Sequence, residues 1–244
     1  MVYQLPYDAI MIPTELERNI SEVDRRIRAA ERVAGRSAGS VSLLAVSKTK
    51  PSEVVRQAHR LGLNAFGENY AQEMAEKAAA LSDLPLCWHF IGPIQSNKTA
   101  LIAEVSDWVH SLDRLKVARR LSEQRPAEKG PLNVLIQVKT SDEDSKSGVL
   151  PEAVPELVAA ITELPGLALR GLMTIPAPAT NPTLQRGPFR QLRELMGQLS
   201  ITLPQLNILS MGMSADLEAA VAEGAHMVRI GTDIFGARYN QVRS

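Results

Sequence analysis

The 244-residue sequence contains one cysteine and few aromatic residues, and it has no excess of charge of either sign. A single thiol, Cys87, excludes a disulfide within the chain. Lysine and arginine together number 27, as do aspartate and glutamate, so no net charge favours nucleic acid or an anionic membrane. No segment approaches the ~20 apolar residues of a membrane span, and the N-terminus lacks the basic start of a signal peptide. We therefore expect a cytoplasmic protein that binds neither nucleic acid nor membrane.

Sequence motifs of several large enzyme classes are also missing. There is no GxSxG nucleophile element, no P-loop and no dinucleotide-binding fingerprint. The four histidines show no metal-ligand spacing, so we expect no metal site. His89 lies in an apolar segment, which favours a hydrogen-bonded core histidine over a catalytic one.

From residue 41 onward, short apolar runs alternate with segments of helical periodicity. Eight such runs favour a (β/α)8 barrel of the TIM type over an open doubly wound sheet, which remains the alternative. A further helix is predicted over 14–35, and no break in composition divides the single domain predicted over 1–244. The predicted strands are 41–47, 63–66, 86–91, 107–112, 132–138, 167–175, 206–211 and 226–230. The predicted helices between them are 52–61, 70–81, 95–104, 113–124, 151–163, 188–200 and 214–223.

Two surface features accompany this pattern. The helix over 14–35 carries Glu22, Arg25, Arg26 and Arg28 on its polar face, which is typical of a solvated surface. The proline-rich stretch 176–188 is predicted to be a long loop, and a mobile loop at this place would cover the barrel mouth.

Lys48 closes the first apolar run of the predicted barrel. A strand rich in leucine and valine is typical of burial on both faces, so its last residue would hold an amine at the dry mouth of the core. Burial disfavours the ammonium form and leaves a nucleophile that forms an imine with an aldehyde. The alternative is a lysine that buries its stem and extends its amine into water.

The last two strand ends have the composition of a phosphate site. Ser214 follows Gly212 and Met213 and is placed to cap the next helix, while Gly231 and Thr232 follow strand eight. Free amides at these positions attract anions, and loops seven and eight of such barrels often bind phosphate. Asp216 and Glu218 would repel a phosphate if they faced it. An ordinary cap and an ordinary glycine turn are the alternative.

Arg229 ends an apolar run, where an unpaired guanidinium would be costly. It could form an ion pair with a strand-end carboxylate such as Glu68 or Asp113, or donate to a bound ligand.

From the first predicted helix to Arg238, the sequence resembles the pyridoxal phosphate homeostasis protein family. The segments that match occur in the same order along the chain. One departure is Lys139, where the family commonly has asparagine. The polar segment 141–148 is predicted to be a solvated loop, and the alternative is that Lys146 reaches the mouth. The segments that carry the resemblance are 45–50 (AVSKTK), 66–70 (FGENY), 88–92 (WHFIG), 95–98 (QSNK), 145–148 (SKSG), 171–173 (GLM), 211–214 (MGMS) and 228–232 (VRIGT).

The resemblance implies a barrel similar to the N-terminal domain of alanine racemases. It implies that pyridoxal 5'-phosphate forms an internal aldimine with Lys48, and that Arg229 faces the pyridine nitrogen. Ser214, Gly231 and Thr232 match the phosphate-binding positions. We place Asn69, Ser210 and Met213, at neighbouring strand ends, in the same cofactor site.

The resemblance also implies a function in vitamin B6 homeostasis. Such a protein holds the cofactor and passes it to PLP-dependent apo-enzymes without catalytic turnover of its own, and we expect it to be a monomer. An amino-acid racemase is the alternative, with Tyr70 as the best internal acid or base, although packing is its simpler role. An imine-forming aldolase on a phosphorylated sugar is a third hypothesis that the phosphate site alone would permit.

Overall fold

The computed structural model describes residues 13–141 and 147–236, whose strands form one closed barrel of eight parallel strands in chain order. The barrel confirms the predicted (β/α)8 architecture, and an additional helix precedes the first strand. The strands are β1 (Ser42–Val46), β2 (Ala65–Glu68), β3 (Cys87–Phe90), β4 (Trp108–Leu112), β5 (Leu132–Gln137), β6 (Leu167–Met173), β7 (Ile208–Ser210) and β8 (Met227–Ile230). The helices are α1 (Pro13–Val33), α2 (Ser52–Arg60), α3 (Ala71–Ala80), α4 (Thr99–Val105), α5 (Leu115–Gln124), α6 (Val154–Thr162), α7 (Pro182–Ser200), α8 (Leu217–Ala222) and α9 (Thr232–Phe235).

The barrel closes where its first and last strands pair. Ser42 lies opposite Met227, and Ala45 lies opposite Ile230. The strand bodies are mostly apolar, as expected for parallel strands covered by helices on their outer side. Because β1 and β8 are neighbours, the turns that follow them lie side by side at the carboxyl edge of the barrel.

Helix α1 packs over the outer side of this closure, against α8 and α9. Leu16, Ile20, Val23 and Ile27 recur at helical spacing and are buried, so they form the apolar stripe of the helix predicted over 14–35. Within the described residues, no helix combines the length and the apolar composition needed to cross a bilayer.

The prediction of a loop over 176–188 is wrong in its second half, because α7 already begins at Pro182. The Asn181 side chain caps this helix by accepting a hydrogen bond of 2.8 Å from the amide of Thr183. Proline suits the first turn, where its missing N–H is not needed. Pro188 lies inside the helix, where burial of Phe189 and other apolar side chains on the same face offsets one lost hydrogen bond.

Candidate functional site

Lys48 lies in a tight turn just past β1, at the carboxyl edge of the barrel. Its side chain is half-buried, and the preceding Ser47 is fully buried. The turn is closed by a hydrogen bond of 3.0 Å from the amide of Lys50 to the carbonyl of Ser47. Thr49 has φ +64°, a left-handed conformation that threonine rarely adopts. The strained residue next to Lys48 needs support from its surroundings.

That support comes from Lys77 on α3, a buried lysine that no motif in the sequence indicates. Its Nζ donates to the Ser47 carbonyl at 2.8 Å and to Oε1 of both Glu68 and Glu73 at 2.7 Å. Glu73 Oε1 also accepts from the Thr49 amide at 2.6 Å, and Glu68 Oε1 accepts from the Ser47 hydroxyl at 2.6 Å. Both sides of the turn are therefore fixed to one buried ion-pair network.

Two buried oxygens at the end of β2 have no protein partner in the described part of the chain. They are Oε2 of Glu68 and Oδ1 of Asn69. Burial raises the pKa of Glu68, and the Lys77 ammonium opposes this shift. Gly92 packs on the backbone of Asn69 so closely that a Cβ at residue 92 would overlap the Asn69 carbonyl. Buried acceptors without partners are costly, so this edge of the barrel has the character of a ligand site.

The turn after β7 differs from the prediction for Ser214. Helix α8 begins only at Leu217, and Asp216 occupies the capping position, so Ser214 is not the helix cap. The Asp216 carboxylate instead accepts from the Met213 amide at 2.6 Å, which closes the turn from Met213 to Asp216 directly before the helix. Burial raises the pKa of Asp216. Asp216 therefore occupies the Met213 amide, and that amide does not serve a phosphate.

Gly212 permits this turn for two reasons. Its φ is +95°, and a Cβ at this position would lie 2.5 Å from the Cβ of Ala220 on α8. The Gly212 carbonyl accepts from the amide of Arg229 at 2.9 Å, which joins the end of β7 to β8.

Gly231 and Thr232 follow β8 and lie beside the end of β1. A Cβ on Gly231 would be 3.2 Å from the carbonyl oxygen of Val46, two residues before Lys48. The hydroxyls of Thr232 and Ser214 have no hydrogen-bond partner within residues 13–141 and 147–236. The fold therefore places one free hydroxyl in each of the turns after β7 and β8, and the turn after β8 adjoins the Lys48 strand.

Arg26 on α1 connects these two turns from outside, so the prediction of a solvated face is wrong for this residue. Its side chain is only 25% exposed. It donates to the Ser214 carbonyl at 2.9 Å, to Asp233 at 2.6 Å and to Glu218 at 2.8 Å. Glu218 is thereby neutralised by Arg26, which removes the predicted repulsion of an anion. No periodicity or spacing in the sequence distinguishes Arg26 from its neighbours Arg25 and Arg28.

Arg229 is buried without an ion pair. Both predicted carboxylate partners bind elsewhere, because Glu68 pairs with Lys77 and Asp113 pairs with Arg114. In the described chain, the acceptors of the Arg229 guanidinium are neutral: the Ser210 hydroxyl and the Thr174 carbonyl, each at 2.8 Å. Burial lowers the pKa of Arg229 to about 10, so it remains a cation at neutral pH. The alternative in which Arg229 serves a ligand is the one that the geometry favours.

The Ser210 side chain lies inside the barrel, between Arg229 and a pair of buried histidines. His110 Nδ1 is 2.9 Å from Ser210 Oγ, and His110 Nε2 is 2.9 Å from His89 Nδ1. Burial lowers the pKa of His89 to about 3 and that of His110 well below its ordinary value. The prediction that His89 is a hydrogen-bonded core residue is confirmed.

The remaining predicted residues lie around the edge of the same mouth. Tyr70 is 58% exposed, so most of its side chain does not pack against the described protein, and the packing role predicted for it is not supported. Lys139 is half-buried and lines a recess with Thr140, Leu150 and Gln191. Lys146 lies outside the described residues, as does the first half of the segment 145–148.

Comparison with known proteins gives the same fold and a close group of relatives. Residues 19–239 match the family model of the alanine racemase N-terminal domain. The pyridoxal phosphate homeostasis protein of Pseudomonas aeruginosa is 59% identical over 223 residues, which cover 91% of this chain and 96% of that protein.

Solved structures extend the comparison. PipY of Synechococcus elongatus, described with PLP bound, is 38% identical with a TM-score of 0.76, covering 85% of this chain and 99% of that one. The alanine racemase of Corynebacterium glutamicum is 17% identical with a TM-score of 0.69, covering 93% and 62%, and shows a shared fold. The chain therefore belongs to the alanine racemase N-terminal domain family, among the relatives named pyridoxal phosphate homeostasis proteins.

Proposed function

We propose that this protein binds pyridoxal 5'-phosphate at the carboxyl edge of its barrel, through Lys48. The Lys48 amine condenses with the aldehyde of the cofactor to form a carbon–nitrogen double bond, with loss of one water molecule. The observation that carries the proposal is Arg229, a buried cation with only neutral protein partners that lies next to the Lys48 strand. Such a cation is stabilised by a ligand that offers acceptors or negative charge.

The residues of the mouth fit the parts of this cofactor. The free hydroxyls of Ser214 and Thr232, with the close backbone approach allowed at Gly231, suit a phosphate group. The guanidinium of Arg229 donates to the pyridine nitrogen. Asn69 has a buried, unpartnered oxygen that accepts from a ligand.

The contribution of two further residues follows from their contacts. Met213 is partly exposed at the mouth and gives its amide to Asp216, so its side chain, rather than its amide, contacts the cofactor. Ser210 acts through Arg229, since its hydroxyl lies 2.8 Å from that guanidinium inside the barrel.

The protein holds the cofactor for intracellular vitamin B6 homeostasis and passes it to apo-enzymes, as a cytoplasmic monomer without a substrate reaction of its own. A PLP enzyme that forms carbanions gains from a protonated pyridine nitrogen. A guanidinium at this nitrogen disfavours protonation and weakens the ring as an electron acceptor. The names of the relatives support homeostasis, and PipY has been solved with PLP bound.

The first experiment is the absorption spectrum and intact mass of the purified protein before and after borohydride. We expect an aldehyde–lysine chromophore that borohydride fixes as a mass increase of one pyridoxal phosphate. Lys48→Ala should lose both signals, whereas Lys116→Ala, which removes an exposed lysine of α5, should keep them. Equal labelling of the wild type and of Lys48→Ala would refute the linkage to Lys48.

A second experiment distinguishes a carrier from a racemase. Transfer of the cofactor to an apo-enzyme faster than its release into buffer supports delivery, and equal rates reduce the function to storage. Deuterium from the solvent entering the α-position of an added amino acid, in a reaction that depends on Lys48, would show turnover and contradict the carrier proposal.

A further inference from the structure

A continuous chain of hydrogen bonds crosses the barrel from Arg229 to Cys87. Arg229 donates to Ser210 Oγ at 2.8 Å, which lies 2.9 Å from His110 Nδ1. His110 Nε2 is 2.9 Å from His89 Nδ1, and His89 Nε2 is 3.3 Å from Cys87 Sγ. The contact between Ser210 and His110 joins β7 to β4, which do not pair, so it spans the interior.

The available hydrogens and acceptors determine which residue donates at each step of this chain of hydrogen bonds. The guanidinium of Arg229 only donates, so Ser210 Oγ accepts from it and has one proton to give. If that proton goes to His110 Nδ1, His110 carries its own proton on Nε2 and donates it to His89 Nδ1. His89 then carries its proton on Nε2 and donates it to Cys87. Cys87 ends the chain of hydrogen bonds as a thiol, whose S–H is only a weak donor. Every N–H and O–H hydrogen in the chain of hydrogen bonds therefore has an acceptor.

The opposite direction leaves one buried hydrogen without an acceptor. If His110 donated from Nδ1, the Ser210 oxygen would accept twice, and its own proton would have no acceptor among the described residues. An unmade hydrogen bond in the interior costs about 1–3 kcal/mol. The direction from Arg229 to Cys87 is therefore the stable one.

The electrostatics of the interior agree with neutral histidines. Burial lowers the pKa of His110, and the nearby His89 and Arg229 lower it further. Burial also raises the pKa of Cys87 to about 12, so the far end of the chain is a neutral thiol. Arg229 is then the one charged member of the chain between the mouth and Cys87.

We infer that Ser210 and His110 are positioning residues for Arg229, and that the direction of the chain fixes both His110 and His89 as Nε2–H tautomers. The Ser210 hydroxyl is committed to His110, so it acts on a ligand only through Arg229. Two of the five guanidinium N–H groups are used by Ser210 and Thr174. The other three have no acceptor within the described ranges and are held ready for one. The ligand part of this inference rests on the proposed function.

The tautomers are tested on the cofactor-free wild-type protein, labelled with ¹⁵N histidine. Long-range ¹H–¹⁵N correlation spectra distinguish a protonated Nε2 from a protonated Nδ1 in each ring. We expect both buried histidines to be neutral Nε2–H tautomers at pH 7. Nδ1–H tautomers, or a charged ring, would overturn the inference whether or not the protein binds pyridoxal 5'-phosphate.

The positioning role is tested by substituting His110 and titrating each variant with pyridoxal 5'-phosphate. His110→Asn keeps an acceptor near the position of Nδ1, whereas His110→Leu has none. We expect His110→Leu to bind the cofactor roughly tenfold more weakly, as for one lost hydrogen bond that orients a charged group, and His110→Asn to bind within roughly twofold of the wild type.

His59→Asn on α2 is the matched control, because His59 is partly buried, lies outside this chain of hydrogen bonds and donates from Nδ1 to the carbonyl of Leu63. Circular dichroism and thermal melts establish which variants fold. Equal affinity of His110→Leu and the wild type would refute positioning. If His110→Leu does not fold, Ser210→Ala takes its place, because it removes the acceptor of Arg229: a tenfold loss of affinity would support positioning, and affinity equal to that of the wild type would refute it. Failure of the wild type to bind the cofactor would refute the proposed function and leave the tautomer result standing.

Discussion

Replacing Lys77 with methionine tests the network that holds the Lys48 turn. Methionine keeps much of the apolar stem and removes the three donors that reach Ser47, Glu68 and Glu73. Glu68 is fully buried and would lose its counter-charge. Breaking a buried ion pair from one side costs about 3–5 kcal/mol, so we expect the free energy of unfolding to fall by about that amount at pH 7. The turn also loses its support, so the affinity for pyridoxal 5'-phosphate should fall.

The pH dependence of this variant has a definite sign. Burial already raises the pKa of Glu68, and loss of the Lys77 ammonium raises it further. Between the ordinary glutamate pKa of about 4.3 and that raised value, the folded variant binds more protons than the unfolded chain. Its stability therefore rises as the pH falls from 7 towards 5, and the penalty relative to the wild type shrinks.

Urea unfolding at the two pH values measures both effects. Lys116→Met, on the exposed side of α5, should change neither value. Adding Glu68→Gln to Lys77→Met should recover stability at pH 7, because the buried charge is then gone. A penalty that is absent, or that is the same at both pH values, would refute the account of Lys77 as the counter-charge of Glu68.

Two further substitutions test the phosphate side of the mouth. Arg26→Gln removes the contacts that hold the turns after β7 and β8 together, so we expect cofactor affinity to fall roughly tenfold in a titration. Arg25→Gln is the exposed control. Unchanged affinity of Arg26→Gln would contradict this role. Gly212→Ala forces a side chain into a left-handed conformation, 2.5 Å from Ala220, and should lower the free energy of unfolding by roughly 1–3 kcal/mol in urea. A melting temperature equal to that of the wild type would refute the steric argument.

The strands of the barrel were predictable because each is an apolar run set between helical periods. The predicted run 132–138 contains β5, and the predicted run 226–230 contains β8. Prolines were a weaker guide. Pro188 resembles a loop residue in the sequence, but tertiary burial of its neighbour Phe189 extends the helix through it.

The residues of the mouth were predictable where they end a strand, as Lys48 and Arg229 do. Lys77 and Arg26 lie in the middle of helices, where a lysine or an arginine is usually solvated, so no local pattern identifies them. Their importance comes from contacts between elements distant in the chain. The hydrogen-bond chain through His110 likewise depends on how strands face each other across the barrel, which periodicity does not encode.

The pairing of β1 with β8 joins segments from nearly opposite ends of the chain, and such a contact carries the largest loop-closure entropy in the barrel. We expect it to form late in folding. A ligand held from both of these strands acts as a non-covalent cross-link at this closure. Amide hydrogen exchange should therefore slow most in these two strands when the ligand is added, and least in β4 and β5 on the far side.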